Sequence, residues 1–224
     1  MQPHKAFSSS IGSKFLIALT GLFLLIFLVG HLAGNLLFIA GPDAFNHYSH
    51  NLTSNPLVYV AEIGLVVLFV LHIFKTVGLY AGSFAARPER YAKKKWAKTK
   101  NDRSRKSLAS STMILTGTIT LVFVVTHLAT FKYGAYYENA EGIRDIYRLQ
   151  LAVFSNPAYV AFYLVAMTVI AFHLWHGVAS ALQSFGLDSP TWTPRLLLLG
   201  RGVALILGLG FAILPVYTLI VGMR

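Results

Sequence analysis

The sequence predicts an all-α integral membrane protein with five transmembrane helices. Of its 224 residues, 55% are hydrophobic and only 12% are charged, a composition too apolar for an ordinary soluble domain. Mean hydropathy is +0.61. Five apolar runs are each long enough to cross a hydrocarbon core of about 30 Å as a helix, and they cover 15–40, 57–85, 108–131, 158–185 and 196–222. We therefore expect 1–224 to form a single transmembrane domain.

Local signals support this assignment of helices. The first run is longer than the core of a signal peptide and no small-residue cleavage pattern follows it, which predicts a retained span. Pro56 and Pro157 stand at the starts of the second and fourth runs, where a proline is well tolerated. Pro215 lies inside the fifth run and predicts a bend. Between the third and fourth runs, 140–154 predicts a short helix on the membrane surface.

The distribution of basic residues predicts the topology. Segment 87–106 holds ten Lys or Arg against two acids, whereas loop 41–55 has no Lys or Arg. The positive-inside rule places 87–106 in the cytoplasm, so we expect a cytoplasmic N-terminus and a C-terminus outside the cell's inner (cytoplasmic) membrane. The net charge of +11 is concentrated beside the spans. It predicts contact with anionic membrane lipid rather than with nucleic acid.

The absence of cysteine restricts the metal chemistry of this chain. With no Cys in the sequence, the chain forms no disulfide and supplies no thiolate to zinc or to an iron–sulfur cluster. Any metal bound by this chain must therefore be held by histidine or by oxygen ligands.

Two parts of the chain repeat each other around four histidines. A Leu-Thr-Gly triplet ends ten residues before His31, and the same triplet ends ten residues before His127, at an offset of 96. A Ser-Asn-Pro triplet ends sixteen residues before His72, and again sixteen residues before His173, at an offset of 101. The pattern predicts that helices 1–2 and helices 3–4 form a tandem repeat.

The predicted topology converts these positions into depths. His31 and His127 would lie about 24–29 Å along helices that run outward, and we call them the outer pair. His72 and His173 would lie about 24 Å along helices that run inward, and we call them the inner pair. Two copies in the same orientation have a pseudo-twofold axis along the membrane normal. This axis would bring the members of each pair to one level on opposite sides.

Histidine pairs at two depths predict two stacked haems. A polar side chain inside the membrane is costly unless something binds it, and two neutral imidazoles fill both axial positions of a haem iron. A haem held in this way serves electron transfer. Gly21 and Gly117 would let the macrocycle or its propionates approach the backbone. The alternative for these glycines is close helix packing by small residues.

Three further residues are candidates near the predicted haems. His176 lies one helical turn beyond His173 and is expected in the haem surroundings. Glu62 is the only acid within a predicted span, which makes it a candidate for proton exchange with a quinone; the alternative is a structural hydrogen bond. His50, in the first outer loop, is a second candidate for the same chemistry. His4 and His47 are expected at solvated surface.

Taken together, these features resemble the five-helix, single-chain di-haem cytochrome b subunits of succinate:quinone oxidoreductases and fumarate reductases. The resemblance extends over essentially the whole chain. It rests on Gly30-His31-Leu32, Ala44-Phe45-Asn46 followed by His50, Ala61-Glu62-Ile63 with His72, Thr116-Gly117 with His127, and His173 with Gly177.

The resemblance implies a function for the chain within a larger complex. The outer pair would bind the distal haem b and the inner pair the proximal haem b. A flavoprotein carrying FAD and an iron–sulfur protein would dock on the cytoplasmic face, where segment 87–106 would form part of the docking surface and its Trp96 would anchor at the membrane interface. Electrons from succinate would then reach menaquinone or ubiquinone through this chain, which would not oxidise succinate alone.

Other functions stay open at this point. A di-haem cytochrome b serving a hydrogenase or formate dehydrogenase would also use intramembrane histidines. A transporter with a histidine proton relay would be colourless, although it would usually need more intramembrane carboxylates than Glu62 supplies. A haem-free anchor that only recruits soluble enzymes would leave the histidine pairs unexplained.

Overall fold

The computed structural model describes residues 9–86 and 107–223. Segment 87–106, on which the topology prediction rests, lies outside the described residues, as do Trp96, His4 and the C-terminal Arg224. The described part of the chain contains eight α-helices and no strands. Five of them are long and apolar enough to cross a membrane, which confirms the predicted all-α membrane fold.

The described residues form the following helices. In chain order, they are α1 Ser10–Leu36, α2 Pro42–Thr53, α3 Leu57–Ala85, α4 Leu108–Ser111, α5 Met113–His127, α6 Ile146–Phe154, α7 Pro157–Leu182 and α8 Trp192–Gly222. The candidate spans are α1, α3, α5, α7 and α8. A 3₁₀ turn extends α1 to Ala40, and π-helical turns extend α5 to Lys132 and α7 to Leu187.

The starts of the spans show how the sequence defines them. Ser9 caps α1 by accepting a hydrogen bond from the N–H of Gly12 at 3.0 Å. Asn156 caps α7 in the same way through Ala158, and Pro157 occupies the first helical position, as predicted. Pro56 directly precedes α3. These polar caps satisfy N–H groups that have no partner inside the helix.

Two predictions between the spans need correction. Segment 41–55 forms the helix α2, although its sequence shows little apolar character. It begins with Gly41 at a φ of 108° and Pro42 at the first helical position. The predicted surface helix 140–154 begins only at Ile146, where Asp145 accepts the first capping bond from the N–H of Arg148 at 2.9 Å. The α8 helix continues through the buried Pro215.

Helices α7 and α8 form the most closely packed part of the bundle. A Cβ placed on Gly200 of α8 would lie 2.9 Å from the carbonyl oxygen of Trp175 on α7, and one placed on Gly208 would lie 2.8 Å from the Cβ of Ala171. Because Gly200 and Gly208 have no side chain, the backbones of α7 and α8 can approach each other closely, as is common between membrane helices. By contrast, none of the 29 residues of α3 is buried within this chain.

Candidate functional site

The outer pair is brought together across two helices. His31 lies on α1, and His127 is the last residue of α5. Their ring centroids are 5.8 Å apart, and the ring planes are perpendicular. The sequence placed these two histidines at one level, and the structure brings their rings close together across α1 and α5. Their role as ligands stays a prediction.

Aromatic rings enclose the outer pair. Phe27 stacks on His31 at a centroid distance of 5.2 Å, and Phe123 stacks on His127 at 5.6 Å. Phe211 of α8 lies 5.8 Å from His31 and closes the site from another helix. These rings keep water away from the imidazoles and lower the local dielectric constant, which strengthens any bond to a charged metal centre.

The outer histidines have hydrogen-bonding neighbours that the sequence did not reveal. The hydroxyl of Tyr163 on α7 lies 3.1 Å from Nδ1 of His127. Asn35 donates its amide to the carbonyl oxygen of His31 at 2.8 Å and lies 3.4 and 3.5 Å from the two ring nitrogens. The contact of Tyr163 joins residues 36 positions apart, so it depends on how α5 and α7 pack.

The inner pair lies at a second level of the bundle. His72 on α3 and His173 on α7 have ring centroids 6.5 Å apart and ring planes inclined by 67°. The Nδ1 atom of His72 is 3.1 Å from the hydroxyl of Thr20, and that of His173 is 3.1 Å from the hydroxyl of Thr116. Both threonines belong to the repeated triplets, but sequence reasoning gave them no role.

The two candidate glycines lie against the inner histidines. A Cβ added at Gly21 would meet Cε1 of His72 at 3.2 Å, and one added at Gly117 would meet Cε1 of His173 at 3.5 Å. The space above each glycine is therefore filled by an imidazole ring rather than left open for a macrocycle. Assignment of the glycines to the haem surroundings stays a prediction; the neighbour that each glycine accommodates in the structure is an imidazole ring.

The spacing of the rings fits a metal held between two imidazoles. A metal–nitrogen bond of about 2 Å on each side places two such rings roughly 6 Å apart, close to the separations of 5.8 and 6.5 Å found here. Within residues 9–86 and 107–223, no group of three or more metal-binding side chains occurs. Two imidazoles at this separation could fill the two axial positions of a haem iron, and this ligand role stays a prediction.

The outer and inner histidine pairs are separated by the same number of helical residues on α1 and on α5. Thr20, which contacts His72, precedes His31 by eleven residues on α1, and Thr116 precedes His127 by the same number on α5. Eleven helical residues correspond to about 16 Å along the axis. The bundle thus provides two imidazole pairs, one above the other, although the tandem repeat itself stays a prediction.

The remaining candidates have separate surroundings. Glu62 forms an ion pair with Lys132, at the end of the π-helical turn after α5. His50 is exposed near the end of α2, with Nε2 at 3.4 Å from the hydroxyl of Ser54. His176 is half-buried one turn after His173. Within 9–86 and 107–223, no hydrogen bond, ion pair or ring contact joins Glu62 or His50 to either imidazole pair, and their chemical roles stay predictions.

A polar network joins the connecting helices α2 and α6. Asn46 is buried; it donates to Asp145 at 2.9 Å and accepts from the backbone N–H of Tyr147 at 3.0 Å. Burial raises the pKa of the Tyr147 hydroxyl, and the neighbouring Tyr217 raises it further. The exposed His47 also lies 3.2 Å from Glu141. These contacts hold the two connections together at one end of the bundle.

Comparison with known proteins gives a relative of defined function. The chain is 28% identical over 174 residues to the succinate dehydrogenase cytochrome b558 subunit of Bacillus subtilis (strain 168). The match covers 76% of this chain and 75% of the relative. No family model matches the chain, and no solved structure matches it.

Proposed function

Because this chain is a homologue of a succinate dehydrogenase cytochrome b subunit, we propose that it is the di-haem membrane subunit of a succinate dehydrogenase or fumarate reductase complex. In this role it passes electrons between an iron–sulfur subunit and a membrane quinone. The single observation that carries the proposal is the presence of two histidine pairs with ring centroids 5.8 and 6.5 Å apart.

The histidines of each pair bind one haem b. His31 and His127 hold the outer haem, and His72 and His173 hold the inner haem. A haem with two imidazole ligands has no open coordination position and supplies one-electron transfer. Phe27, stacked on His31, helps to exclude water from the outer site.

Quinone chemistry requires protons as well as electrons. Glu62 lies in the first third of α3, and we assign it proton exchange with menaquinone or ubiquinone, with His50 as a further candidate. His176 and the two glycines, Gly21 and Gly117, belong to the surroundings of the haems.

The partners follow from the function of the relative. A flavoprotein with FAD and an iron–sulfur subunit dock on the cytoplasmic face. The clusters belong to the partner subunit, because this chain has no cysteine to hold one. The chain then spans the cytoplasmic membrane with its N-terminus in the cytoplasm and its C-terminus outside. It is part of an oxidoreductase and does not oxidise succinate alone.

The test is a dithionite-reduced minus oxidised spectrum with pyridine haemochrome quantitation on the complex purified through a tag on this chain. We expect two haems b per chain. The Ala variants of His31, His72, His127 and His173 should each lose the absorbance of one of the two haems. His47→Ala is the matched control, since His47 is an exposed surface residue. A colourless but folded parent would refute the proposal. Co-purification of hydrogenase or formate dehydrogenase subunits would redirect it to those complexes.

A further inference from the structure

Both inner histidines contact a buried threonine on the preceding span. The Thr20 hydroxyl on α1 lies 3.1 Å from Nδ1 of His72, and the Thr116 hydroxyl on α5 lies 3.1 Å from Nδ1 of His173. Thr20 is 5% exposed and Thr116 is 6% exposed. The same hydroxyl therefore meets the same ring atom, at the same distance, in two separate helix pairs.

The hydroxyl protons have carbonyl acceptors within their own helices. Thr20 Oγ1 lies 2.7 Å from the carbonyl oxygen of Leu16 and 3.1 Å from that of Ile17. Thr116 Oγ1 lies 3.1 Å from the carbonyl oxygens of Thr112 and Met113. A carbonyl oxygen can only accept, and a threonine hydroxyl has one proton. When that proton is donated to the helix, the oxygen offers a lone pair to the histidine.

The adjoining glycines leave room for the same edge of each ring to approach the threonine helix. The positions of a Cβ on Gly21 and Gly117 lie 3.2 and 3.5 Å from Cε1 of His72 and His173. A side chain at Gly21 would press on the ring and disturb the approach of Nδ1 to the hydroxyl. In each Thr-Gly pair, the threonine supplies a hydroxyl oxygen that can accept from Nδ1, and the glycine leaves space for the neighbouring Cε1 of the ring.

We propose that Thr20 and Thr116 are positioning residues that keep His72 and His173 protonated at Nδ1. Each Nδ1–H donates to a threonine oxygen, which leaves the lone pair of Nε2 free for the iron of the inner haem. A ligand histidine whose other nitrogen donates a hydrogen bond has a fixed tautomer, a fixed ring orientation and a more basic metal-binding nitrogen. This inference rests on the proposed function.

The outer pair supplies an internal reference. Its neighbours are Tyr163 and Asn35, so removal of a threonine hydroxyl should affect the inner haem alone. Thr118 on α5 offers a matched control: its hydroxyl donates to the carbonyl oxygen of Ile114 at 2.9 Å, and it is exposed.

The test compares Thr20→Val and Thr116→Val with Thr118→Val in the purified complex. The readouts are the midpoint potential of each haem by spectroscopic redox titration and the rate of haem transfer to apomyoglobin. We expect the Val variants to retain the inner haem about 10- to 100-fold less tightly. The inner midpoint potential should rise, because a less basic imidazole stabilises ferric iron less. The outer haem and the Thr118→Val variant should be unchanged.

A second comparison isolates the hydroxyl if a Val variant fails to assemble. Thr20→Ser keeps the oxygen and Thr20→Ala removes it, while both lose the methyl group. We expect the Ser variant to resemble the parent and the Ala variant to show the raised potential. Equal behaviour of Ser and Ala, or Val variants with two haems of unchanged potential, would overturn the inference and leave the proposed function intact. A parent without haem would overturn both.

Discussion

Glu62 and Lys132 form an ion pair that joins α3 to the end of the third span. Glu62 is the acid to which we assign proton exchange with quinone, so the pair gives its carboxylate a second role, in holding two helices together. The two side chains are 39% and 37% exposed. The ion pair predicts a loss of stability when either residue is substituted, whereas the chemical role predicts a loss of activity, so the two roles can be measured separately.

Exchange of the two charges separates these roles. We expect Glu62→Gln to lower quinone reduction about 100-fold, the usual scale for a lost general acid or base, and to lower the midpoint of thermal unfolding through loss of the ion pair. The double variant Glu62→Lys, Lys132→Glu should regain the stability of the parent but not its activity. The measurements are quinone reductase activity and the midpoint of thermal unfolding in detergent. Activity restored in the double variant would show that Glu62 acts only through its ion pair.

The two histidine pairs could be predicted from sequence because helical rise is regular. Equal steps from Gly21 to His31 and from Gly117 to His127 fix equal depths, and depth alone determines which histidines can meet. The five spans could be predicted for a similar reason, since bilayer thickness fixes their length. The helix α2 was missed because its residues are polar on average, and only Phe45 and Asn46 within it are buried.

The contacts between side chains of neighbouring helices could not be predicted from the sequence. The contacts of Thr20 with His72 and of Tyr163 with His127 depend on how each helix is rotated about its axis, which no spacing rule fixes. Likewise, the partner of Lys132 is Glu62, which lies 70 residues away along the chain. Such pairs are set by the packing of the whole bundle.

The close approach of α7 and α8 predicts a difference between two glycines on α8. A Cβ at Gly200 would lie 2.9 Å from the carbonyl oxygen of Trp175, whereas nothing lies within 4 Å of a Cβ at Gly202. The Gly200→Ala substitution must push two backbones apart, and overpacking of this kind costs about 1–3 kcal/mol. We expect a lower unfolding midpoint for Gly200→Ala and an unchanged midpoint for Gly202→Ala. Equal midpoints would mean that α7 and α8 can separate at no cost.

Glycines on α1 provide a comparison closer to the inner haem. Gly21→Ala places a methyl group 3.2 Å from Cε1 of His72, whereas nothing lies within 4 Å of a Cβ at Gly30. We expect Gly21→Ala to displace the imidazole by a few tenths of an ångström and to alter the electron paramagnetic resonance signal of the inner ferric haem. Gly30→Ala should leave that signal unchanged. Gly117→Ala, with its contact at 3.5 Å, should have a smaller effect than Gly21→Ala.

The hydroxyl of Tyr163 predicts an effect confined to the outer haem. It lies 3.1 Å from Nδ1 of His127, while the ring packs against Phe154 and Phe123 at 4.9 and 5.1 Å. Tyr163→Phe therefore keeps the packing and removes only the polar atom. If Nε2 of His127 binds iron, the substitution leaves a shielded Nδ1–H without its acceptor, at a cost of about 1–3 kcal/mol.

We expect Tyr163→Phe to weaken retention of the outer haem about tenfold and to raise the midpoint potential of that haem. The inner haem, whose histidines contact threonines instead, should keep its potential. Tyr159→Phe is the matched control, because Tyr159 lies one turn earlier on α7 and is 38% exposed. A redox titration of both haems checks the result. A shift of the inner potential would mean that Tyr163 supports the bundle as a whole rather than His127.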